Sequence, residues 1–314
     1  MNRKRFLSVF TIFALLIHQS KGIRMAKKRG NDYLKDKGFL SQKQDGYFSL
    51  RLHVAGGNLT SENLRYIADA ADKYGKGYVH VTSRQGIEVP FVHNNNTEAI
   101  SSLMDNAGIA PGASGKKIRA IVACQGNRVC SNGIIDCQDI CEKIDKKYFG
   151  QPVPYKFKIA VTGCPASCLR VQENDFGIMG TVQPKFVEEN CVTCGLCKKV
   201  CKVDAIDITD GVLTIDPDKC IMCGECIRVC KKDAMQIANE GFTIYVGGKV
   251  GRKPRMGIRI LKTVSEPVMY EVFERTVAYY REHALEGERI IDVIDRYGIN
   301  HFEREIGYSF DLMR

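Results

Sequence analysis

The chain has 314 residues, no tryptophan, and 46 Lys and Arg against 36 Asp and Glu, for a formal net charge of +10. No window reaches the roughly 18 apolar residues of a membrane span, and no nucleic-acid motif accompanies the charge, so neither a bilayer span nor a nucleic-acid partner is expected. Its 14 cysteines do not read as a secreted disulfide scaffold, because such chains usually have fewer than about 100 residues. A reducing, cytoplasmic setting fits better. The basic excess then serves solubility or anionic ligands held inside the protein.

In chain order, residues 1–44 read as a basic extension. Arg3-Lys4-Arg5 precedes a short apolar stretch, Phe6 to Ile17. This has the look of a targeting segment and of a weak twin-arginine string, but no small-x-small cleavage site follows. Met25 is the expected true start.

Residues 45–115 read as a half-domain. Phe48, Leu50, Leu52 and Val54 alternate with polar residues, the mark of a half-buried strand. Thr60 is placed to cap a helix with Leu64, Ile67, Ala68 and Ala71 on one face, ended by Gly75. Strands are expected over 78–83 and 87–92. Thr97 opens a second helix with Ile100, Leu103, Met104 and Ala107 as its stripe, closed by Gly108. Strand–helix–strand–strand–helix is a ferredoxin-like α+β order.

A second domain is expected over 116–183 and 241–314. Strands over 118–123 and 156–162 lead into Cys124 and Cys164, with a helix over 134–148 between them. A strand over 242–246 and helices over 267–283 and 288–297 follow. The intervening segment 184–240 has a different texture of short cysteine-rich loops and reads as an insertion. It repeats with a period of 29 residues, from Cys191 to Cys220.

That repeat carries two runs, Cys191-x2-Cys194-x2-Cys197-x3-Cys201 and Cys220-x2-Cys223-x2-Cys226-x3-Cys230, the spacing of two-cluster ferredoxins, in which the fourth Cys of each run ligates the other [4Fe-4S] cluster. Cys191, Cys194, Cys197 and Cys230 are assigned to one cluster, and Cys220, Cys223, Cys226 and Cys201 to the other. Structural zinc is the alternative, but its sites usually pair two short hairpins. Lys202 and Lys231 stand where Pro often follows. A third set is split, Cys124-x5-Cys130 and Cys164-x3-Cys168. Cys137 and Cys141 are left over, four apart on one helix face; packing is expected of them, with a ligand or redox role as the alternative.

Strand residues two apart share a face, which pairs Arg51 with His53, His80 with Arg84, and Lys156 with Lys158. Each pair is either part of an anion site or a solvated polar face.

The strings Ile121-Val122-Ala123-Cys124-Gln125-Gly126-Asn127-Arg128-Val129-Cys130 and Val161-Thr162-Gly163-Cys164-Pro165-Ala166-Ser167-Cys168 resemble the cluster-binding signature of the siroheme sulfite and nitrite reductases. From about Asp45 the chain is similar to the ferredoxin-bearing subunits of anaerobic sulfite reductases, the inserted ferredoxin included. The resemblance implies an α+β fold in which a ferredoxin-like half-domain joins a siroheme and [4Fe-4S] α/β domain carrying the inserted two-cluster ferredoxin. It implies that Cys124, Cys130, Cys164 and Cys168 hold a cubane, and that Cys168 bridges it to the siroheme iron.

Thr82-Ser83-Arg84-Gln85 looks like the family's Thr-x-Arg-Gln string, which implies a role for Arg84 toward both cofactor and substrate. Lys156-Phe157-Lys158 matches its paired-lysine string, and Arg128 aligns more loosely with a further arginine. His53, in His53-Val54-Ala55-Gly56-Gly57, departs from an arginine found in many relatives; Arg51, which shares its strand face, is a candidate anion-binding residue on periodicity alone. The expected activity is siroheme-dependent reduction of sulfite to sulfide, with nitrite to ammonia as the close alternative. A pure electron-transfer iron–sulfur subunit and a siroheme-binding or sulfite-sensing protein are the competing classes. Cofactors would be siroheme and three [4Fe-4S] clusters. Electrons would enter at the inserted pair from a donor protein or a NAD(P)H- or flavin-bearing subunit, because the chain has no Gly-x-Gly-x-x-Gly fingerprint. A homodimer or larger complex is expected, since a single half-domain leaves a two-halved site open.

Overall fold

Alternation at Tyr47–Arg51 produces the strand the sequence predicts, with Phe48 and Leu50 buried and Ser49 turned outward. In the computed structural model, which describes residues 33–310, these residues divide into two units: 33–53, 59–82 and 86–114 form one, and 54–58, 83–85 and 115–310 the other. The expectations placed on residues 1–32, the targeting-like string and the Met25 start, lie outside the described residues. Among those described, no helix is long and apolar enough to cross a membrane.

The first unit is a four-stranded antiparallel sheet ordered β1 (Phe39–Ser41), β2 (Tyr47–Arg51), β4 (Ile87–His93), β3 (His80–Val81), with helices α1 (Ser61–Tyr74) and α2 (Thr97–Asn106). Strand β1 lies upstream of residue 45; its three residues are too short to show a period. Thr60 caps α1, its hydroxyl accepting from the Asn63 N–H at 3.0 Å while the Asn63 side chain reaches back to the Thr60 N–H, a device typically worth about 1 kcal/mol. Gly75 ends the helix. The buried arc of α1 is Ile67, Ala70 and Ala71, whereas Leu64 is 49% exposed and Ala68 is exposed. The expected stripe is therefore rotated: burial centres on Ile67, leaving Leu64 and Ala68 along one margin. Strand β3 is shorter than expected, and after it Thr82 N–H closes a turn on the Gly86 carbonyl. His80 lies on β3 and Arg84 in the turn, so the two do not share a strand face.

The second unit is built on a five-stranded sheet ordered β11 (Ile258–Val264), β10 (Met235–Val246), β7 (Phe176–Phe186), β6 (Ile159–Thr162), β5 (Val122–Ala123). Strands β5, β6 and β7 run parallel, with α3 (Cys137–Tyr148) crossing between β5 and β6, while β7, β10 and β11 pair antiparallel. Residues Phe176 to Val182 are all buried, as befits a central strand covered on both faces. The core joins Phe157, Phe176, Phe273 and Tyr280, with Phe176 and Phe273 packed edge to face at 5.1 Å. Helices α6 (Glu266–His283), α7 (Ile290–Tyr297) and α8 (Ile299–Ile306) complete the unit. Strands β7, β11 and helix α8 were not anticipated. Strands β5 and β6 are shorter than expected because Ile118 makes only an isolated bridge to Phe157, and α3 starts at Cys137, where Asp136 caps it.

Residues 187–234, between β7 and β10, form a small lobe within this unit: α4 (Leu196–Val200), a hairpin of β8 (Ile206–Thr209) and β9 (Val212–Ile215), and α5 (Glu225–Val229). Its core is Ile206, Leu213 and Met235 with Cys197 and Cys226.

Candidate functional site

Parallel strands end together, so β5 and β6 deliver Cys124 and Cys164 to the same edge of the sheet, where open α/β sheets place their ligands. The Cys124 N–H continues the ladder onto the Val161 carbonyl at 3.1 Å. Gly163 N–H donates to Cys124 Sγ at 3.1 Å, and a Cβ on Gly163 would stand 2.9 Å from Gly126 Cα. Only glycine lets the two cysteine loops close to this distance.

Side-chain amides lock the loops. Gln85 pairs with the Ala123 backbone in both directions, at 3.0 and 3.1 Å. Gln138, fully buried on α3, donates to the Gly56 and Cys124 carbonyls at 3.1 Å and accepts from Asn58 at 2.9 Å. Gln138 was not anticipated from sequence; its helical position resembles any polar residue near a helix start.

Cys124 Sγ gathers donors. Besides Gly163 it takes Gly126 N–H at 3.4 Å, Thr162 Oγ1 at 3.9 Å and the Cys137 thiol at 3.5 Å. The Cys137 hydrogen bond is the main reason the Cys124 thiol is drawn well below its ordinary range, with the Gly163 and Gly126 N–H groups adding to it. Cys137 is pushed upward by the same bond and by burial. Burial pushes Cys141 up to about 12, consistent with a packed thiol.

Beside this edge lies a cavity of about 420 Å³ lined by Arg84, Lys158, Cys168, Leu169, Arg170, Glu173 and Asn174, among others. Arg84 is fixed by Asn174 Oδ1 at 2.6 Å and by the Ala120 and Ile159 carbonyls at 3.1 and 3.2 Å. The Lys158 N–H donates to Asp175 Oδ2 at 2.8 Å. Asp175 is fully buried and held bidentately by Arg289, at 2.7 and 2.6 Å. The Lys158 ammonium has no carboxylate within ion-pair distance among the described residues. Desolvation, then the charges of Arg84, Arg289 and Lys156, bring it down to about 8.

Four more residues were expected at the anion site. Lys156 stacks over the Tyr155 ring at 5.2 Å and reaches Lys158 only through its charge. Arg128 is tied to α3 through Asp136 at 2.8 Å and does not line the cavity. Within the first unit, Arg51 is paired with Glu88 at 2.7 Å, and His53 donates its backbone N–H to the Ala110 carbonyl. Arg170 was missed. It stands at φ +49° after a turn at Ser167, a placement that strand periodicity cannot signal.

In the lobe, Cys191, Cys194, Cys197 and Cys230 line one cavity of about 230 Å³. Cys201, Cys220, Cys223 and Cys226 line a second, narrower one. These are the crossed sets that the ferredoxin spacing predicts. Among the described residues no three His, Cys, Asp or Glu side chains converge closely enough to hold a single ion. Two quartets of thiols around two separate voids suit a polynuclear iron–sulfur cluster, whose ligands stand farther apart. Around Cys168, a cavity with three cationic side chains suits a polycarboxylate tetrapyrrole. The residues present therefore fit the cofactors that the sequence resemblance implies.

Comparison with known proteins agrees. Residues 114–311 match the family described as nitrite and sulphite reductase 4Fe-4S domain, and residues 40–107 the nitrite/sulfite reductase ferredoxin-like half domain. The chain is 37% identical to a coenzyme F420-dependent sulfite reductase of Methanocaldococcus jannaschii over 89% of its own length, spanning 46% of that protein. It is 28% identical to one subunit of the anaerobic sulfite reductase of Salmonella typhimurium, over 84% of each chain. The fold matches the crystal structure of dissimilatory sulfite reductase I with a TM-score of 0.69 at 24% identity, covering 84% of this chain and 69% of that one. The mixed α+β architecture, the thiol sets and the two matched domains establish that this chain belongs to the nitrite and sulfite reductase family.

Proposed function

We propose that the protein is a siroheme-dependent sulfite reductase. The observation that carries this is the cavity in which the Lys158 ammonium, Arg84 and Arg170 face the same space as Cys168. Bound there, siroheme coupled to a [4Fe-4S] cluster on Cys124, Cys130, Cys164 and Cys168 would supply the electrons that convert sulfite to sulfide. Two further clusters on the lobe quartets would make three in all, with the lobe as the point of electron entry. Cys168, which lines the cavity, would hold the siroheme beside that cluster.

The chain's own work is electrostatic. Lys158 attracts the sulfite anion and supplies protons as oxygens leave. Lys156 reinforces the local positive charge. Arg84 cannot swing freely, since it is anchored on Asn174 and two carbonyls; it offers a preorganised charge that needs no rearrangement as negative charge builds on the substrate. The same site would accept nitrite. A second copy of the chain would supply the other half of a two-halved site. In the first unit, Val81 on the edge strand β3 and Tyr78 and Val79 just before it are exposed, and an unprotected apolar edge invites pairing. A separate donor protein would dock on the lobe.

A visible spectrum of anaerobically purified protein tests the central claim. Tetrapyrrole bands that shift on adding sulfite are expected. Their absence in fully cluster-loaded protein would return the chain to the class of electron-transfer subunits. Solution mass of the loaded protein tests assembly: a fully active monomer would refute the dimer.

A further inference from the structure

Cys137 belongs to none of the three ligand sets, yet it is fully buried against one of them. Its Sγ lies 3.5 Å from Cys124 Sγ. It is wedged between the two ligand loops: a Cβ built on Gly126 would stand 3.1 Å from this sulfur, and one on Gly163 3.4 Å from it. Its position is the first residue of α3, behind the Asp136 cap. Among the described residues the other acceptor near it is the Ile135 carbonyl, at 3.9 Å. A Cys124 sulfur bound to iron carries no proton, so between these two sulfurs the donor can only be Cys137.

The ligand sets differ in this respect. Cys124 receives two side-chain donors, Cys137 and Thr162, and two backbone ones. Among the described residues the lobe cysteines take their hydrogen bonds from backbone N–H groups, Thr193 to Cys191 at 3.4 Å and Ala205 to Cys201 at 3.2 Å. Hydrogen bonds to ligand sulfur stabilise the more negative, reduced cluster and are one of the levers that set its potential.

We propose that the Cys137 thiol is a positioning residue that donates a hydrogen bond to Cys124 and raises the reduction potential of the cluster on Cys124, Cys130, Cys164 and Cys168. One added electron places one more negative charge on that cluster, and the S–H dipole aimed at Cys124 favours that state. A raised potential at this cluster favours electron transfer toward it. This rests on the proposed function, which supplies the cluster.

The test is an anaerobic redox titration of the whole, cofactor-loaded protein followed by electron paramagnetic resonance, which should resolve three cluster waves. Cys137→Ala should displace one wave to lower potential, by about tenfold in its reduction equilibrium, or 59 mV for a one-electron couple, and leave the two lobe waves in place. Cys137→Ser, which keeps a donor, should hold that wave at or above its original position. An unmoved wave in Cys137→Ala overturns the proposal, as does an equal drop in both variants, which would mean packing alone. If Cys137→Ala cannot hold the cluster, Cys137→Ser decides: an intact cluster with undiminished potential supports the donor role, and a lost cluster refutes it. A missing third wave in the unmodified protein would refute the proposed function as well, whereas a third wave indifferent to residue 137 refutes this inference alone.

Discussion

The lobe and the sheet edge mount their cysteines in different ways. In the lobe, eight thiols surround two voids, six in short loops and Cys197 and Cys226 on the one-turn helices α4 and α5, over a core of only a few apolar side chains. At the sheet edge, Cys124 and Cys164 are anchored on buried parallel strands and braced by Gln85, Gln138 and two close-packed glycines. A loop quartet is shaped largely by the group it binds. The sheet-edge set has two of its four members preorganised on strands, and Cys168 lines a cavity shared with Arg84, Lys158 and Arg170. Electron relay needs only the first arrangement, while chemistry on an anion needs the second.

The largest expected effect probes the strand-mounted set. Cys168→Ser should abolish or strongly perturb the tetrapyrrole bands and depress sulfite turnover by more than the ~100-fold typical of losing an outer-shell partner, with both lobe clusters retained. Full turnover with unchanged bands would remove Cys168 from its bridging role. Cys194→Ala probes the lobe: reduction driven by a protein donor should collapse, while a small artificial donor that reaches the cavity directly should restore part of it. Equal losses with both donors in folded protein would end the relay assignment.

Next in size is the brace behind the cavity. Asp175→Ala leaves the buried Arg289 charge unpaired and should cost roughly 3–5 kcal/mol of stability, read by chemical denaturation; a cost below about 1 kcal/mol would show that the pair is dispensable. The smallest effect is expected at the cavity cations. Lys158→Ala should weaken anion turnover by roughly 1.5–3 kcal/mol and spare all clusters, and Lys156→Ala should weaken it less. Because Lys158 titrates near 8, sulfite should bind progressively more weakly as pH rises through that value, and Lys158→Ala should flatten the profile. For folding the sign is reversed. The unfolded chain binds more protons than the folded one between about 8 and 10.5, so the stability contributed by this group rises with pH across that window.

What the sequence disclosed follows from how local each signal is. Cysteine spacing is local, and it predicted which thiols share each lobe cavity, crossed sets included. Alternation around Phe48 and the Thr60 cap are local as well. The Asp175–Arg289 pair spans 114 positions, and nothing near either residue announces the other. Strand β7 was invisible because its inward and outward faces are both buried, which erases the period of two. Arg51 shows what a local pattern leaves out. Its strand position was read correctly, but its charge is taken up by Glu88 on the neighbouring strand β4, a cross-strand partner that periodicity cannot see. Lys158 was legible because burial alternates through Phe157 and Ile159 even outside a regular strand.

One feature of the sheet bears on how such a chain could arise. Phe186 at the end of β7 is directly paired with Met235 at the start of β10. The lobe therefore leaves and re-enters the parent unit at two neighbouring positions on one antiparallel ladder. To the parent sheet it is topologically a hairpin turn, however many residues it holds. A short Asn-Gly connection between those positions would satisfy the same ladder, so the cysteine-rich segment could be gained, lost or exchanged as a cassette without redrawing the sheet that holds the cavity.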